Sequence, residues 1–162
     1  MSYTVPANTH IGHVHLRVSD LERSLAFYRD ILGFTVTQWY GNSAVFLSAG
    51  GYHHHIGLNT WYSAGAPSAP QRGCGLFHAA IVYPTRKDLA VALQRLNEAS
   101  YPLTGASDHG VSQALYLNDP DGNGVELYWD RPRQEWPLGA AGNIQMFTDH
   151  LDLENLLQEI DE

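Results

Sequence analysis

The stretch GHVHLRVSDLERSLAFYRDILGF, residues 12–34, passes from a period of two to a helical period within one short segment. In its first part His13, His15 and Arg17 fall on one face of a strand, and Val14, Leu16 and Val18 on the other. Ser19 or Asp20 then offers an N-cap to a helix carrying Leu21, Leu25, Phe27, Tyr28 and Leu32, which Gly33 ends. The apolar face of the strand is expected to pack under that helix.

Working outward, the same order recurs along the chain, which reads as two copies of strand, helix and three strands. The first copy, residues 9–62, closes on the strand pair of AVFLSAGGYHHHIGLN. The second, residues 76–130, opens with LFHAAIV, continues through a helix that Thr85 can cap, and closes on ALYLNDPDGNGVELYW, where DPDGNG is a turn by composition. Between them lies a Pro/Gly-rich linker, Ser63–Gly75. A C-terminal extension, residues 131–162, ends in an acidic amphipathic helix with Leu151, Leu153, Leu156, Leu157 and Ile160. The expected fold is α+β: one domain over 1–162, built of paired βαβββ modules that form a curved mixed sheet around a metal cleft.

Laying one copy on the other puts His13 on His78, an offset of 65, and Gly57 on Glu126, an offset of 69. The difference falls in loops. A single strand histidine is ordinarily a hydrogen-bonded surface residue, so it is the equivalence of positions that singles these out. Packing about a pseudo-twofold would bring His13, Gly57, His78 and Glu126 together. Val125, Leu127 and Trp129 take the helix side of the last strand, which leaves Glu126 and Tyr128 on the concave face. A carboxylate between large apolar neighbours needs a partner, and a metal ion is one. Two imidazoles and one carboxylate are the set that holds a non-haem Fe(II) with open positions.

The segments GHVHLRVSDLERSLAFYRDILGF, GGYHHHIGLNTW, GLFHAAIVYPTRKDLA and DHGVSQALYLNDPDGNGVELYWDRPRQEW together resemble the vicinal oxygen chelate superfamily. That group includes glyoxalases, fosfomycin- and bleomycin-resistance proteins and extradiol dioxygenases, and the likeness is greatest to the catechol 2,3-dioxygenases. The first segment is shared across the superfamily; the combination of the others is more specific. The resemblance implies that His13, His78 and Glu126 are the metal ligands, matching the repeat argument. It implies that Tyr116 hydrogen-bonds the bound diol and that one histidine of the 53–55 run, His54 or His55, is an acid and base. His109, in a loop before the Tyr116 strand, is a further candidate to contact substrate.

The resemblance also implies an activity: insertion of O₂ into catechol or a substituted catechol at Fe(II), with Mn(II) able to replace iron. Such a reaction needs open positions on the ion, and Gly57 at the fourth ligand position keeps that space clear. A metal-dependent glyoxalase of this fold is expected to carry a ligand side chain there. The rival readings are another metal-dependent enzyme of the superfamily, an isomerase or thiol transferase, and a non-catalytic binder of the bleomycin-resistance kind. Many catechol dioxygenases have twice as many modules. Two modules supply all three ligands, within one chain or across a homodimer, which is the expected assembly. Trp39, Tyr40, Phe46, Trp61 and Tyr62 include the candidates to wall a flat apolar ring, with core packing as the ordinary role for most of them.

Composition bounds the rest. The 162 residues are 44% hydrophobic, enough for a real core. A formal net charge of −8 argues against nucleic acid or an anionic membrane as partner. The single Cys74, expected to be buried or a bystander, rules out an intrachain disulfide and suits a reducing compartment. No apolar run approaches the ~20 residues of a membrane helix, and MSYTVPANTH lacks the features of a signal peptide. A cytoplasmic location is expected.

Overall fold

The computed structural model describes residues 2–68, 70 and 72–161. Contacts divide the chain into two compact units, Met1–Pro67 and Ser68–Glu162. Each has its own mixed sheet, so the single curved sheet expected from the sequence is two sheets, of four and five strands.

In unit 1, strand β1 (Val14–Arg17) leads into helix α1 (Leu21–Leu25), capped by Asp20, whose side chain accepts the Arg23 N–H. The helix runs on as a π-helical turn, Ala26–Ile31, rather than the uniform α-helix expected. The wider turn closes with the Leu32 N–H on the Phe27 carbonyl, and it lets the adjacent rings of Phe27 and Tyr28 both enter the core. Strands β2 (Thr35–Tyr40), β3 (Ala44–Ser48) and β4 (Ile56–Asn59) follow, giving the order β1-β4-β3-β2. The parity read from the sequence holds: Leu16 and Val18 are buried while His13, His15 and Arg17 are exposed. The run His53–His55, read with the strand pair, lies in the loop joining β3 to β4.

Unit 2 repeats the order with β5 (Ala79–Tyr83), α2 (Arg86–Glu98), β6 (Gly105–Asp108), β7 (Ser112–Asn118) and β8 (Gly124–Asp130). Thr85 caps α2 in a capping box with Asp88. The β7–β8 turn is held by the buried Asp119, which accepts the backbone N–H groups of Asp121 and Asn123.

The pairings bear out the repeat. Strand β1 runs parallel to β4 with His15 opposite Gly57, and β5 runs parallel to β8 with Ala80 opposite Glu126. Both pairs obey the offsets that relate His13 to His78 and Gly57 to Glu126. His13 and His78 each stand one residue before a first strand.

Beyond β8 the chain forms a short strand, β9 (Asp149–His150), that adds to β6, and then helix α3 (Leu153–Gln158). The strand was not legible in the sequence. The helix is shorter than the apolar pattern of the tail, and it docks on α2 of its own unit. Arg86 binds Glu159 and the Asn155 side chain, and Leu151 and Leu156 are buried. Cys74 is exposed, so of the two expectations, buried or bystander, the buried one does not hold. Among the described residues no helix is long and apolar enough to cross a membrane.

Two predictions follow from this packing. Leu156→Ala, which empties a fully buried site, is expected to lower unfolding stability by about 2–4 kcal/mol and to expose the tail to protease, as read by urea unfolding and limited proteolysis. The second concerns Asp108. Partial burial pushes its carboxyl up, but hydrogen bonds from Gln113, Gly110 and Arg131 outweigh that and hold it below its usual 3.8. A depressed carboxylate stabilises above its unfolded value and loses that contribution as pH falls through the folded one. Asp108→Asn should therefore be less stable than wild type near neutral pH, with the difference shrinking below about pH 4; denaturation midpoints at the two pH values decide it.

Candidate functional site

In unit 2 a chain of hydrogen-bonding side chains crosses the sheet. Glu126 sits mid-strand in β8 between the buried Val125 and Leu127, so its carboxylate faces away from the core. Tyr116 is its cross-strand partner on β7, and the Tyr116 hydroxyl donates to Glu126 Oε1 at 3.0 Å. His78 Nε2 lies 2.9 Å from the other oxygen, Oε2. His109 Nε2 lies 2.7 Å from the Tyr116 hydroxyl, and His109 Nδ1 is 2.9 Å from the Phe147 carbonyl. A carbonyl only accepts, so Nδ1 of His109 carries a proton.

The electrostatics follow from this contact set. Burial first, and then the hydrogen bond and charge of Glu126, push the Tyr116 phenol up to about 12. Tyr116 therefore stays protonated and remains a donor. Asp130 is pushed up by burial and then by the Glu126 charge. Glu126 has no arginine or lysine partner among the described residues; an imidazole and a phenol face it instead.

In unit 1 the ring of His13 lies 4.5 Å from that of His54. His54 Nδ1 is 2.7 Å from His53 Nδ1, so one of the two nitrogens carries a proton and the other accepts it. Burial, and then the neighbouring His13 and the other nearby histidines, lower the His54 pKa, which favours the neutral ring. His55 is occupied differently: its Nδ1 accepts the Ala49 N–H at 3.2 Å and lies 3.2 Å from the Ser48 hydroxyl. Of the two candidates, His54 is the one beside His13, and His55 fastens the loop. Phe46 packs 5.0 Å from His54. Trp39, Tyr40, Trp61 and Tyr62 are exposed, not core residues.

The sequence candidates thus divide between the units. His78, Glu126, Tyr116 and His109 are brought together in unit 2, and His13 with His54 in unit 1. No group of three or more His, Cys, Asp or Glu among the described residues is arranged to hold a metal ion. The donor chemistry nevertheless fits one. An imidazole nitrogen and a carboxylate oxygen facing each other, with no basic side chain on the carboxylate, call for a shared proton or a cation. Sequence reasoning gave His15 no role, although Asn59 holds its Nε2 at 3.0 Å and its ring lies beside Phe46 and Trp61. The signal was available in the repeat, where His15 corresponds to Ala80.

The chain is 42% identical over 157 residues to a catechol-2,3-dioxygenase of Bacillus subtilis, an alignment covering 96% of this chain and 54% of that protein. It is 34% identical over 121 residues to a biphenyl-2,3-diol 1,2-dioxygenase of Rhodococcus globerulus, covering 74% and 63%. The chain thus spans about half to two-thirds of the length of these relatives. Among solved structures, a glyoxalase/dioxygenase from Nostoc punctiforme superposes with a TM-score of 0.65 at 18% identity, covering 82% of this chain and 99% of the other. A lactoylglutathione lyase from Agrobacterium tumefaciens superposes at 0.58 with 21% identity, covering 78% and 96%. These two likenesses speak for the fold alone. With the duplicated strand, helix and three-strand order in both units and a family profile matching residues 10–127, the chain belongs to the glyoxalase/bleomycin resistance protein/dioxygenase superfamily.

Proposed function

We propose that the chain is an extradiol ring-cleaving dioxygenase acting on catechol or a substituted catechol. The observation that carries the reading is Glu126 held between His78 and Tyr116, in a chain 42% identical to a catechol-2,3-dioxygenase. His13, His78 and Glu126 would hold Fe(II), or Mn(II) in its place, with His13 joining from the same chain or from a second copy in a homodimer. When bound there, the ion supplies electrons to O₂ and favours the anionic form of the diol.

The protein's own groups have separable tasks. His54, kept neutral, accepts a proton from the diol and later returns it. Tyr116 keeps its proton across the working pH range and donates a hydrogen bond to a substrate oxygen. His109, tied to the Phe147 carbonyl, orients the Tyr116 hydroxyl. Gly57 itself supplies no ligand, which favours this chemistry over a glyoxalase, although the space beside it is taken by the His15 ring and not left clear as the sequence suggested.

Protein purified without oxygen and reconstituted with Fe(II) is expected to consume O₂ and form the yellow semialdehyde from catechol. A filled metal site with neither signal would refute the assignment. Glu126→Gln replaces the anion by a neutral amide and should lose most of the bound iron and the activity together, measured by metal analysis and O₂ uptake.

The histidine run gives a sharper test. His54→Ala is expected to lower kcat by about 10²–10⁴-fold with iron content retained, the usual range for a general acid–base group. His55→Ala should instead lower thermal stability by loosening the loop, with a much smaller effect on kcat. The reverse pattern would move the acid–base role to His55.

A further inference from the structure

The face of unit 1 that carries His13 holds a second imidazole, His15, in a built setting with one ring nitrogen free. Three strands form a row there: His15 on β1 stands opposite Gly57 on β4, which stands opposite Phe46 on β3. The corresponding row of unit 2 reads Ala80, Glu126 and Tyr116. The aromatic position is kept, and the bulk of the other two is exchanged. A Cβ on Gly57 would lie 2.9 Å from the His15 ring carbons, so the imidazole leans into the space that a side chain at 57 would take. In unit 2 Ala80 is the small member and Glu126 the large one. Within its own sheet, His15 fills the place that the carboxylate fills in the other.

The orientation of this ring is set by Asn59, a buried residue. Its Oδ1 accepts the Trp61 N–H at 3.3 Å, which turns the amide nitrogen toward His15 Nε2 at 3.0 Å. An amide N–H needs an acceptor, so Nε2 offers its lone pair and the proton of the neutral ring lies on Nδ1. No hydrogen bond reaches that Nδ1 among the described residues. The rings of Phe46 and Trp61 lie 5.7 and 5.6 Å from the His15 ring. A free N–H beside aromatic rings, two residues along the strand from His13, suits a flat ring bearing oxygen.

We propose that His15 is a substrate-binding residue, donating from Nδ1–H to an oxygen substituent of the aromatic diol. This inference rests on the diol reading of the site. Its test is anaerobic calorimetric binding of catechol to the iron-loaded protein, beside thermal unfolding of each variant. His15→Phe keeps an aromatic ring but removes the N–H, and should weaken catechol binding about tenfold, the scale of one hydrogen bond. His15→Gln, which keeps an N–H donor, should recover most of that loss. Gly57→Ala displaces the imidazole and should weaken binding by a similar factor, whereas in a His15→Ala background the same change should add nothing. Melting temperatures of the His15 variants should move little, because His15 is exposed. Catechol binding unchanged in His15→Phe overturns the assignment alone, as does a loss that follows the melting temperature instead of the N–H. Wild-type protein that binds no catechol overturns the diol reading and this assignment with it.

Discussion

The candidate site depends on one pairing made twice: the first and last strands of each module lie parallel and side by side. Parallel neighbours cannot be joined by a hairpin, so a crossover must separate them in sequence, here a helix and two further strands. That separation is what lets His78 and Glu126, far apart along the chain, come within 2.9 Å. The register is pinned by burial. Val125 and Leu127 occupy the core face of β8, and a slip of one residue would turn both outward and Glu126 inward. The apolar positions thus aim the carboxylate without touching what it binds.

Glu126 then organises the charges around it. Burial first, and then this carboxylate, which has no basic side-chain partner among the described residues, make its neighbours hold their protons, and both Tyr116 and Asp130 are pushed up. Tyr116 has a single proton and two neighbours that can accept it, Glu126 Oε1 and His109 Nε2. Because Phe147 fixes the proton of His109 on Nδ1, the neutral ring leaves Nε2 as an acceptor. A cation taken up by Glu126 would weaken its claim on the phenolic proton and free that proton for a substrate oxygen. The C-terminal extension, which forms β9 on the edge of the sheet, thereby bears on the geometry of Tyr116.

The alternation His13-Val14-His15-Leu16 and its counterpart around Glu126 made strands, faces and the duplicated order readable, because a period of two states which side chains share a face. The caps were readable at Thr85 and, with Ser19 as an alternative, at Asp20, since their side chains act locally. What stayed hidden has non-local causes. Strand β9 is two residues long and exists through its pairing with β6, with no alternation of its own. The π-helical turn reflects the burial of two adjacent aromatic rings, which a helical wheel does not foresee. His54 and His55 are neighbours of one residue type, and only the fold of their loop shows one ring beside His13 and the other bound to the backbone of Ala49.

The two copies share a backbone plan and differ in which strand of the central pair carries the bulky polar side chain. Each row has room for one such group, as the near contact between Gly57 and His15 shows. Placing it on β8 yields an anion and placing it on β1 yields a neutral donor, so the exchange of His15–Gly57 for Ala80–Glu126 changes charge while conserving volume. On the proposed reading this asymmetry has a direct use. One carboxylate and two neutral imidazoles offset half the charge of a divalent cation and leave a net positive charge for an anionic diol to meet. A second carboxylate, at position 57, would cancel that charge and would also need the volume His15 now fills. Glycine at 57 and histidine at 15 are therefore best understood as a single choice, made once in sterics and once in electrostatics.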